Sequence, residues 1–234
     1  MIVPDKQEKI KDWFDKTYSL RGQSYLRPKE AYQILINHLK PQSGKFLDVA
    51  CGLGRLVSCL EGTKLEAFGV DISGVAVQKA KKAVPFADIR QGNAENLPFK
   101  NNSFDYVCCI GSLERMIYLD NALNEQKRVA KSNARFCYMV RNSENFTWRL
   151  KTILGLKNTK GHQGAKSLVE WKSLFEKHHF EIINIYPDQW ALHRLLQFLS
   201  FGTLKPIATR KFATFIPLKY AHEFIIVLNM KINE

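Results

Sequence analysis

A short apolar run that ends in a glycine turn constrains the fold of this chain more than any other feature. Phe46–Ala50 has the pattern of a β-strand, Gly52 and Gly54 follow it, and a helix is predicted over Arg55–Leu60. Glycines between a strand and a helix let backbone N–H groups and a helix N-terminus approach a ligand closely. The sequence therefore predicts an α/β fold with a ligand-binding site at this turn.

Strands and helices continue to alternate after this turn. Further strands are predicted at Leu65–Val70, Ala87–Arg90, Tyr106–Ile110, Arg135–Val140, His179–Tyr186 and Ala221–Ile232. Helices are predicted at Val75–Ala83, which Ser73 could cap, at about 120–131 and at Ser167–Lys177. This alternation is typical of a doubly wound, mostly parallel sheet, here of seven strands, with helices on both faces and ligands beyond the carboxyl ends of its strands.

The length of 234 residues fits one domain with additions. Residues 1–44, with predicted helices at 6–17 and 29–39, form an N-terminal helical cap. Residues 45–142 form the core, and residues 143–234 form a second half that opens with a polar connection at 143–166. An insertion at 187–220, rich in aromatic and basic residues, is predicted to act as a further cap, because connections of this length are often functional.

Composition limits the class of protein and the partners. The chain has 35 basic and 22 acidic residues, a net charge of +13, which favours anionic partners such as nucleic acid, an acidic membrane surface or an acidic substrate. No run reaches the roughly 18 apolar residues of a membrane-spanning helix, and the N-terminus lacks the apolar run of a signal peptide. The five cysteines show no metal-ligand spacing, so we expect no metal site and reduced thiols in a cytoplasmic protein.

The charge at the end of the first strand distinguishes between two cofactors. A dinucleotide-binding loop would have a third glycine where Val57 stands, and Asp48 would repel a pyrophosphate. A cofactor with an ammonium and a sulfonium group has the opposite preference, so Asp48 favours S-adenosylmethionine over NAD. Asp71 lies 23 positions later, near the offset expected of a ribose-binding acid. Asn93, after the third strand, could bond the amine of an adenine.

These features together resemble the class I S-adenosylmethionine-dependent methyltransferases, in particular the ubiquinone/menaquinone C-methyltransferases and many small-molecule methyltransferases. The resemblance covers roughly residues 45–142, through Leu47–Gly54, Gly69–Ser73, Gly92–Phe99, Ser103–Val107 and Leu113–Arg115. It implies a set of cofactor-binding residues: Asp48, Ala50, Cys51, Gly52 and Gly54 for the methionine part, Asp71 and Ile72 for the ribose, Asn93 and Ala94 for the adenine, and Ile110 and Gly111 beside the methionine.

The sequence departs from the family pattern at three places. Ala50 stands where glycine is frequent, and Arg115 replaces a histidine, so no role of that histidine carries over. Lys131–Ala134 replaces a Lys-Pro-Gly-Gly turn, which Asn133 could preserve because asparagine tolerates the left-handed conformation.

The catalytic residue is not predicted with equal clarity. Tyr18, Arg21, Arg115 and His162 are candidates for the substrate side, and His162 is also a candidate for a base. Each has an alternative as a packed or solvated residue. The apolar segment Trp190–Phe201 is either a lid over an apolar substrate, with contact to a membrane surface, or a packed helical addition.

The sequence therefore predicts a methyltransferase that acts on a small-molecule or lipid-like acceptor by in-line displacement. Two alternatives stay open. A nucleic-acid methyltransferase would suit the charge, but the strand-four run Cys109–Leu113 lacks the Asn/Asp-Pro-Pro-aromatic sequence of base-amine methyltransferases. A non-catalytic cofactor-binding partner protein would bind S-adenosylmethionine without turnover.

Overall fold

The computed structural model describes residues 6–155, 164–190 and 217–231 of the chain. Seven strands form one sheet in the order β3-β2-β1-β4-β5-β7-β6. The strands are β1 Ser43–Val49, β2 Lys64–Asp71, β3 Asp88–Gln91, β4 Phe104–Ile110, β5 Ala130–Arg141, β6 Phe180–Pro187 and β7 Glu223–Met230. Only β7 is antiparallel to its neighbours β5 and β6; the described pairs among the other strands are parallel. The predicted doubly wound sheet is confirmed.

Six α-helices belong to the described residues: α1 Lys6–Arg21, α2 Lys29–Leu39, α3 Gly74–Ala83, α4 Leu119–Val129, α5 Phe146–Ile153 and α6 Leu168–Lys177. The predicted cap of α3 is present, because the Ser73 hydroxyl accepts the N–H of Ala76 at 3.0 Å. Helix α6 begins with a capping box between Ser167 and Glu170.

The sheet is buried on both faces, as its apolar strands require. One core cluster packs Phe104, Phe136 and Trp171 against the face covered by α4 and α6. The other packs Leu35, Phe46 and further apolar residues against the face covered by α2 and α3. Both faces are thus closed, and the edge at the carboxyl ends of the parallel strands is left for ligands.

Three local predictions need correction. Arg55–Leu60 is not an α-helix: Arg55 and Leu56 lie in a turn, and only a short 3₁₀ helix, Val57–Leu60, follows. The polar connection at 143–166 contains α5. Asn133 does not form a left-handed turn; β5 starts at Ala130 and continues through it, so the predicted helix ends earlier, at Val129.

The ends of the strands explain which residues meet at the ligand-binding edge. β1, β2, β4 and β5 end there, and β7 begins there, with Arg141 opposite Glu223. His162 and residues 191–216 of the predicted insertion lie outside the described residues. None of the described helices is long and apolar enough to cross a membrane.

Candidate functional site

The turn after β1 has an unusual backbone. Ala50, Gly52 and Gly54 have φ values of +59°, +53° and +75°, in the left-handed region that favours glycine. A Cβ on Gly52 would lie 2.7 Å from the Tyr18 hydroxyl oxygen, and one on Gly54 would lie 3.1 Å from a methyl carbon of Val84. Gly52 therefore lets Tyr18 lie directly on the turn, and Gly54 lets the turn pack on the end of α3.

Two buried carboxylates flank this turn. Asp48 is 3% exposed and Asp71 is 5% exposed. Burial raises the pKa of Asp48 well above its usual value, and the charge of Asp71 raises it further. Burial also raises the pKa of Asp71, to about 6, although its carboxylate accepts the N–H groups of Ser73 and Gly52 at 2.9 and 2.8 Å. A pair of this kind is costly to ionise alone and favours a cationic or hydroxyl-donating ligand.

A pocket that is open to solvent lies beside Asp71, with about 540 Å³ of space including its open mouth; we call it the cofactor cavity. Five of the predicted cofactor residues line it, namely Ala50, Asp71, Ile72, Asn93 and Ala94. Asn93 also has a structural role, because its Oδ1 accepts the N–H of Glu95 at 2.9 Å. Asn93 therefore both stabilises its turn and lines the cavity.

Glu95 is a residue of this cavity that the sequence did not single out. Its carboxylate accepts the N–H groups of Ile117 and Tyr118 at 2.7 and 3.0 Å and the side-chain amide of Gln7 at 2.6 Å. It therefore joins α1 to the segment after β4 across one end of the cavity.

Helix α1 covers the cofactor cavity and is held at several points. Asp15 accepts hydrogen bonds from the Ser73 hydroxyl and the Val75 N–H at the start of α3. The Lys79 ammonium donates to the backbone carbonyl of Tyr18 at 2.7 Å. Tyr18 itself is 5% exposed and lines both this cavity and the next.

A second pocket, also open to solvent, adjoins the first and has about 1000 Å³ of space including its open mouth; we call it the acceptor cavity. The predicted residues that line it are Asp48, Ala50, Cys51, Gly52, Ile110 and Gly111. Arg115 lines both cavities, and its Nε donates to the Gly111 carbonyl at 3.0 Å. Gly54 lines neither cavity.

The far wall of the acceptor cavity is an ion-pair network that sequence reasoning missed. Arg27 pairs with Asp188 at 3.0 Å and with Glu223, and Arg141 pairs with Glu223 at 3.4 Å. Burial alone would raise the pKa of Glu223, but Arg27 and Arg141 hold it below its usual value. These residues come from four segments that are distant in the sequence, so no local motif could predict the network.

His222 is a second residue that the sequence analysis left without a role. Among the described residues it is the one histidine that lines the acceptor cavity. Burial lowers the pKa of His222 below its usual value. The charge of Glu223 partly raises this pKa again, and the charge of Arg141 lowers it further. A partly buried imidazole that stays neutral near pH 7 is suited to accept a proton.

The remaining predicted residues lie as follows. Arg21 is exposed at the end of α1, with its guanidinium 5.3 Å from the ring centre of Tyr25, and it lines neither cavity.

Burial raises the pKa of the Cys51 thiol well above its usual value, which makes it a poor nucleophile. All five cysteines are free and buried. The described residues contain no cluster of side chains that could hold a metal ion.

Comparisons with known proteins agree with this geometry. A family model described as a methyltransferase domain matches residues 47–138. An uncharacterised protein of Methanocaldococcus jannaschii is 33% identical over 159 residues, which are 66% of this chain and 57% of that protein. The ubiquinone/menaquinone biosynthesis C-methyltransferase UbiE of Burkholderia mallei is 26% identical over 204 residues, 82% of this chain and 81% of that enzyme.

A solved structure has the same fold. The S-adenosylmethionine-dependent methyltransferase of Thermotoga maritima aligns with a TM-score of 0.66 at 20% identity, covering 95% of this chain and 99% of that one. The sheet order and the ligand-binding edge define a Rossmann-like cofactor-binding domain. Residues 47–138 therefore match a methyltransferase domain, and the described sheet has the fold of a solved S-adenosylmethionine-dependent methyltransferase, so S-adenosylmethionine is the expected cofactor.

Proposed function

We propose that the protein transfers a methyl group from S-adenosylmethionine to a small-molecule or lipid-like acceptor held in the acceptor cavity. The observation that carries the proposal is the junction of two cavities at Ala50 and Tyr18. One cavity has the features expected of an adenosine site. The other adjoins it and extends from the predicted methionine residues to the wall formed by Arg27, Arg141 and Glu223. A domain that only bound its cofactor would need the part of the second cavity beside Asp48 and Gly111, but not the part that reaches Arg27 and Arg141.

On the cofactor side, the chain's residues fit the group. Asp71 would accept hydrogen bonds from the ribose hydroxyls, since each carboxylate oxygen has a lone pair beyond the one its backbone N–H occupies. Asp48, with Ile110 and Gly111 beside it, would face the positively charged methionine part. When bound, the cofactor supplies a methyl group already activated by its sulfonium.

On the acceptor side, the wall combines apolar and cationic groups. Leu26, Tyr32 and Met139 provide apolar surface, whereas Arg115 and Arg141 provide guanidinium groups. This combination supports an acceptor with an apolar body and an anionic or hydroxyl-bearing end. Tyr18 and α1 would exclude water from the junction, and the chain would then act mainly by aligning the reactants.

His222 is the proposed proton acceptor for an acceptor group that is protonated at neutral pH. Its neutral imidazole lines the cavity and could receive the proton that an attacking hydroxyl or amine loses as its oxygen or nitrogen bonds to the methyl carbon. An acceptor that is already ionised would not need this step.

The test is turnover of methyl-labelled S-adenosylmethionine with a metabolite panel, a lipid extract and total RNA as separate acceptors. Label in a small molecule or lipid is the expected result. Label in RNA would instead support the nucleic-acid alternative. Cofactor binding without label in any acceptor would support the non-catalytic partner protein. A cytoplasmic location is part of the proposal, supported by the free, buried cysteines.

A further inference from the structure

The outer face of α5 is apolar and exposed. Phe146, Leu150, Ile153 and Leu154, which we call the α5 stripe, include side chains that are 74% (Phe146) and 78% (Ile153) exposed. At the 100° step of a helix these four positions fall within an arc of about 100°. Large apolar side chains on the surface are unremarkable singly, but a contiguous group of them marks a contact surface.

Two stretches of the sequence, one that contains α5 and one that ends at the residues Asn145 contacts, are strongly basic. Residues 145–166 contain five basic residues and no acidic one, and residues 189–222 likewise contain five and none. Together the two stretches carry ten positive charges and no negative one, whereas the net charge of the whole chain is +13. Arg149 and Lys219 are exposed. An apolar stripe with basic flanks is the pattern of a helix that lies in the interface of an anionic bilayer.

Helix α5 lies beside the acceptor cavity, and its stripe faces away from that cavity. On the opposite side of the helix, the ring of Trp148 lies under the guanidinium of Arg141, at 4.8 Å, and Arg141 lines that cavity. Asn145, just before the helix, donates to the backbone carbonyls of Tyr220 and Ala221 at 3.0 and 3.3 Å. These contacts fix α5 to the ligand-binding edge of the sheet.

We propose that the protein docks on anionic membrane surfaces through the α5 stripe. The apolar side chains enter the boundary between headgroups and acyl chains, and the basic flanks attract the acidic headgroups. Nucleic acid fits less well, because a phosphate backbone would use the basic residues but leave the stripe in water. One consequence rests on the proposed function: a lipid-like acceptor would reach its cavity directly from the membrane.

The experiment is co-sedimentation of the full chain with vesicles of phosphatidylcholine and phosphatidylglycerol (3:1), compared with pure phosphatidylcholine. We expect at least tenfold stronger partition onto the anionic vesicles, weakened by 0.5 M salt. Phe146→Gln with Ile153→Gln should reduce that partition about tenfold or more, while the melting temperature and the affinity for S-adenosylmethionine stay unchanged. Val169→Gln on α6, at a 72% exposed site, is the matched control and should partition like the wild type.

Several results would overturn the docking proposal. Absence of partition onto anionic vesicles would do so, as would equal partition of the double variant and the wild type. Tight binding of a 30-nucleotide RNA without vesicle binding would assign the basic region to nucleic acid. A change from dimer to monomer in the double variant, again without vesicle binding, would assign the stripe to a contact between copies. None of these readouts depends on turnover, so failure here leaves the proposed methyl transfer standing.

Discussion

The cofactor cavity and the acceptor cavity share one edge of the sheet but are built in different ways. The cofactor cavity uses short turns that directly follow β1, β2 and β3, and its key hydrogen bonds are made by backbone groups, as at Gly52 and Ser73. The acceptor cavity uses side chains from distant segments, joined by ion pairs such as Arg27 with Glu223. Changes on the first side should therefore affect cofactor affinity, and changes on the second should affect stability.

The largest effect is expected from Asp71→Ala. The variant loses a carboxylate that would accept two ribose hydroxyls, at roughly 1.5–3 kcal/mol for each charged hydrogen bond, and it leaves two backbone N–H groups without their acceptor. Affinity for S-adenosylmethionine should fall about a thousandfold in a calorimetric titration, since about 4 kcal/mol corresponds to that factor.

Asp88→Ala is the control for this variant. Asp88 lies on the neighbouring strand β3 and pairs only with exposed Arg90 among the ion pairs described. Its affinity for the cofactor should match the wild type. An Asp71→Ala protein that is folded and binds with unchanged affinity would show that another group holds the ribose.

The next effect tests the acceptor side. Arg27→Met leaves the buried carboxylates of Asp188 and Glu223 without their main partner, and breaking such a pair typically costs about 3 kcal/mol of the free energy of unfolding. Cofactor affinity should change less than threefold. Because the pKa of Glu223 lies below its unfolded value, the wild-type pair stabilises above about pH 4.5 and less at lower pH. The deficit of the variant should therefore shrink as the pH falls.

Arg90→Met is the matched control for Arg27→Met, because its partner Asp88 is exposed and surface pairs contribute about 1 kcal/mol or less. Urea unfolding measures both variants. If Arg27→Met and Arg90→Met lowered the free energy of unfolding equally, the buried network would contribute no more than a surface ion pair.

A smaller effect is expected from pH alone. With a pKa of about 6, Asp71 is mostly ionised at pH 7.5 but only about one quarter ionised at pH 5.5. Cofactor affinity should fall about fourfold or more over this interval, and Asp48 acts in the same direction because its pKa is raised too. The unliganded protein should not lose stability from this group, since protonation relieves a buried charge. Affinity that rises as the pH falls would contradict the assignment.

The smallest effect comes from a pair of opposite substitutions in the turn after β1. Ala50→Gly removes a left-handed alanine, which costs about 1–2 kcal/mol, against an entropic loss of about 0.4–1 kcal/mol, so a gain of roughly 0.5 kcal/mol is expected. Gly52→Ala should instead lower the melting temperature and the cofactor affinity, because its Cβ meets the Tyr18 hydroxyl. Shifts of the same sign in both variants would contradict the described backbone.

The residues that line the cofactor cavity were largely predictable because their signals are local, and their contacts with a cofactor stay a prediction. A strand followed at once by Gly52, and an acid such as Asp71 at the end of the next strand, can be recognised without knowledge of the sheet. The helix at Arg55–Leu60 was predicted wrongly: the segment is a turn that continues into a short 3₁₀ helix, Val57–Leu60. Asn133 was also misjudged: it lies in β5, in the irregular stretch between Ala130 and Arg135 where the pairing with β4 shifts register.

The acceptor side was mostly hidden in the sequence. Arg27, Asp188 and Glu223 are separated by up to 196 positions, and only the order of strands brings them together. His222 gave one signal, its place at the start of a strand, but the antiparallel direction of β7 is what places it at the ligand-binding edge. Neither the ion-pair network nor the position of His222 at the cavity could be inferred from the spacing of residues in the sequence.

The central claim is that the carboxylate-lined turn at Asp48 binds a cationic methyl donor and not a dinucleotide. Calorimetric titration of the purified protein with S-adenosylmethionine and, separately, with NAD tests it most directly. The account predicts saturable binding of S-adenosylmethionine and no detectable heat with NAD. Saturable binding of NAD, with none of S-adenosylmethionine, would contradict it.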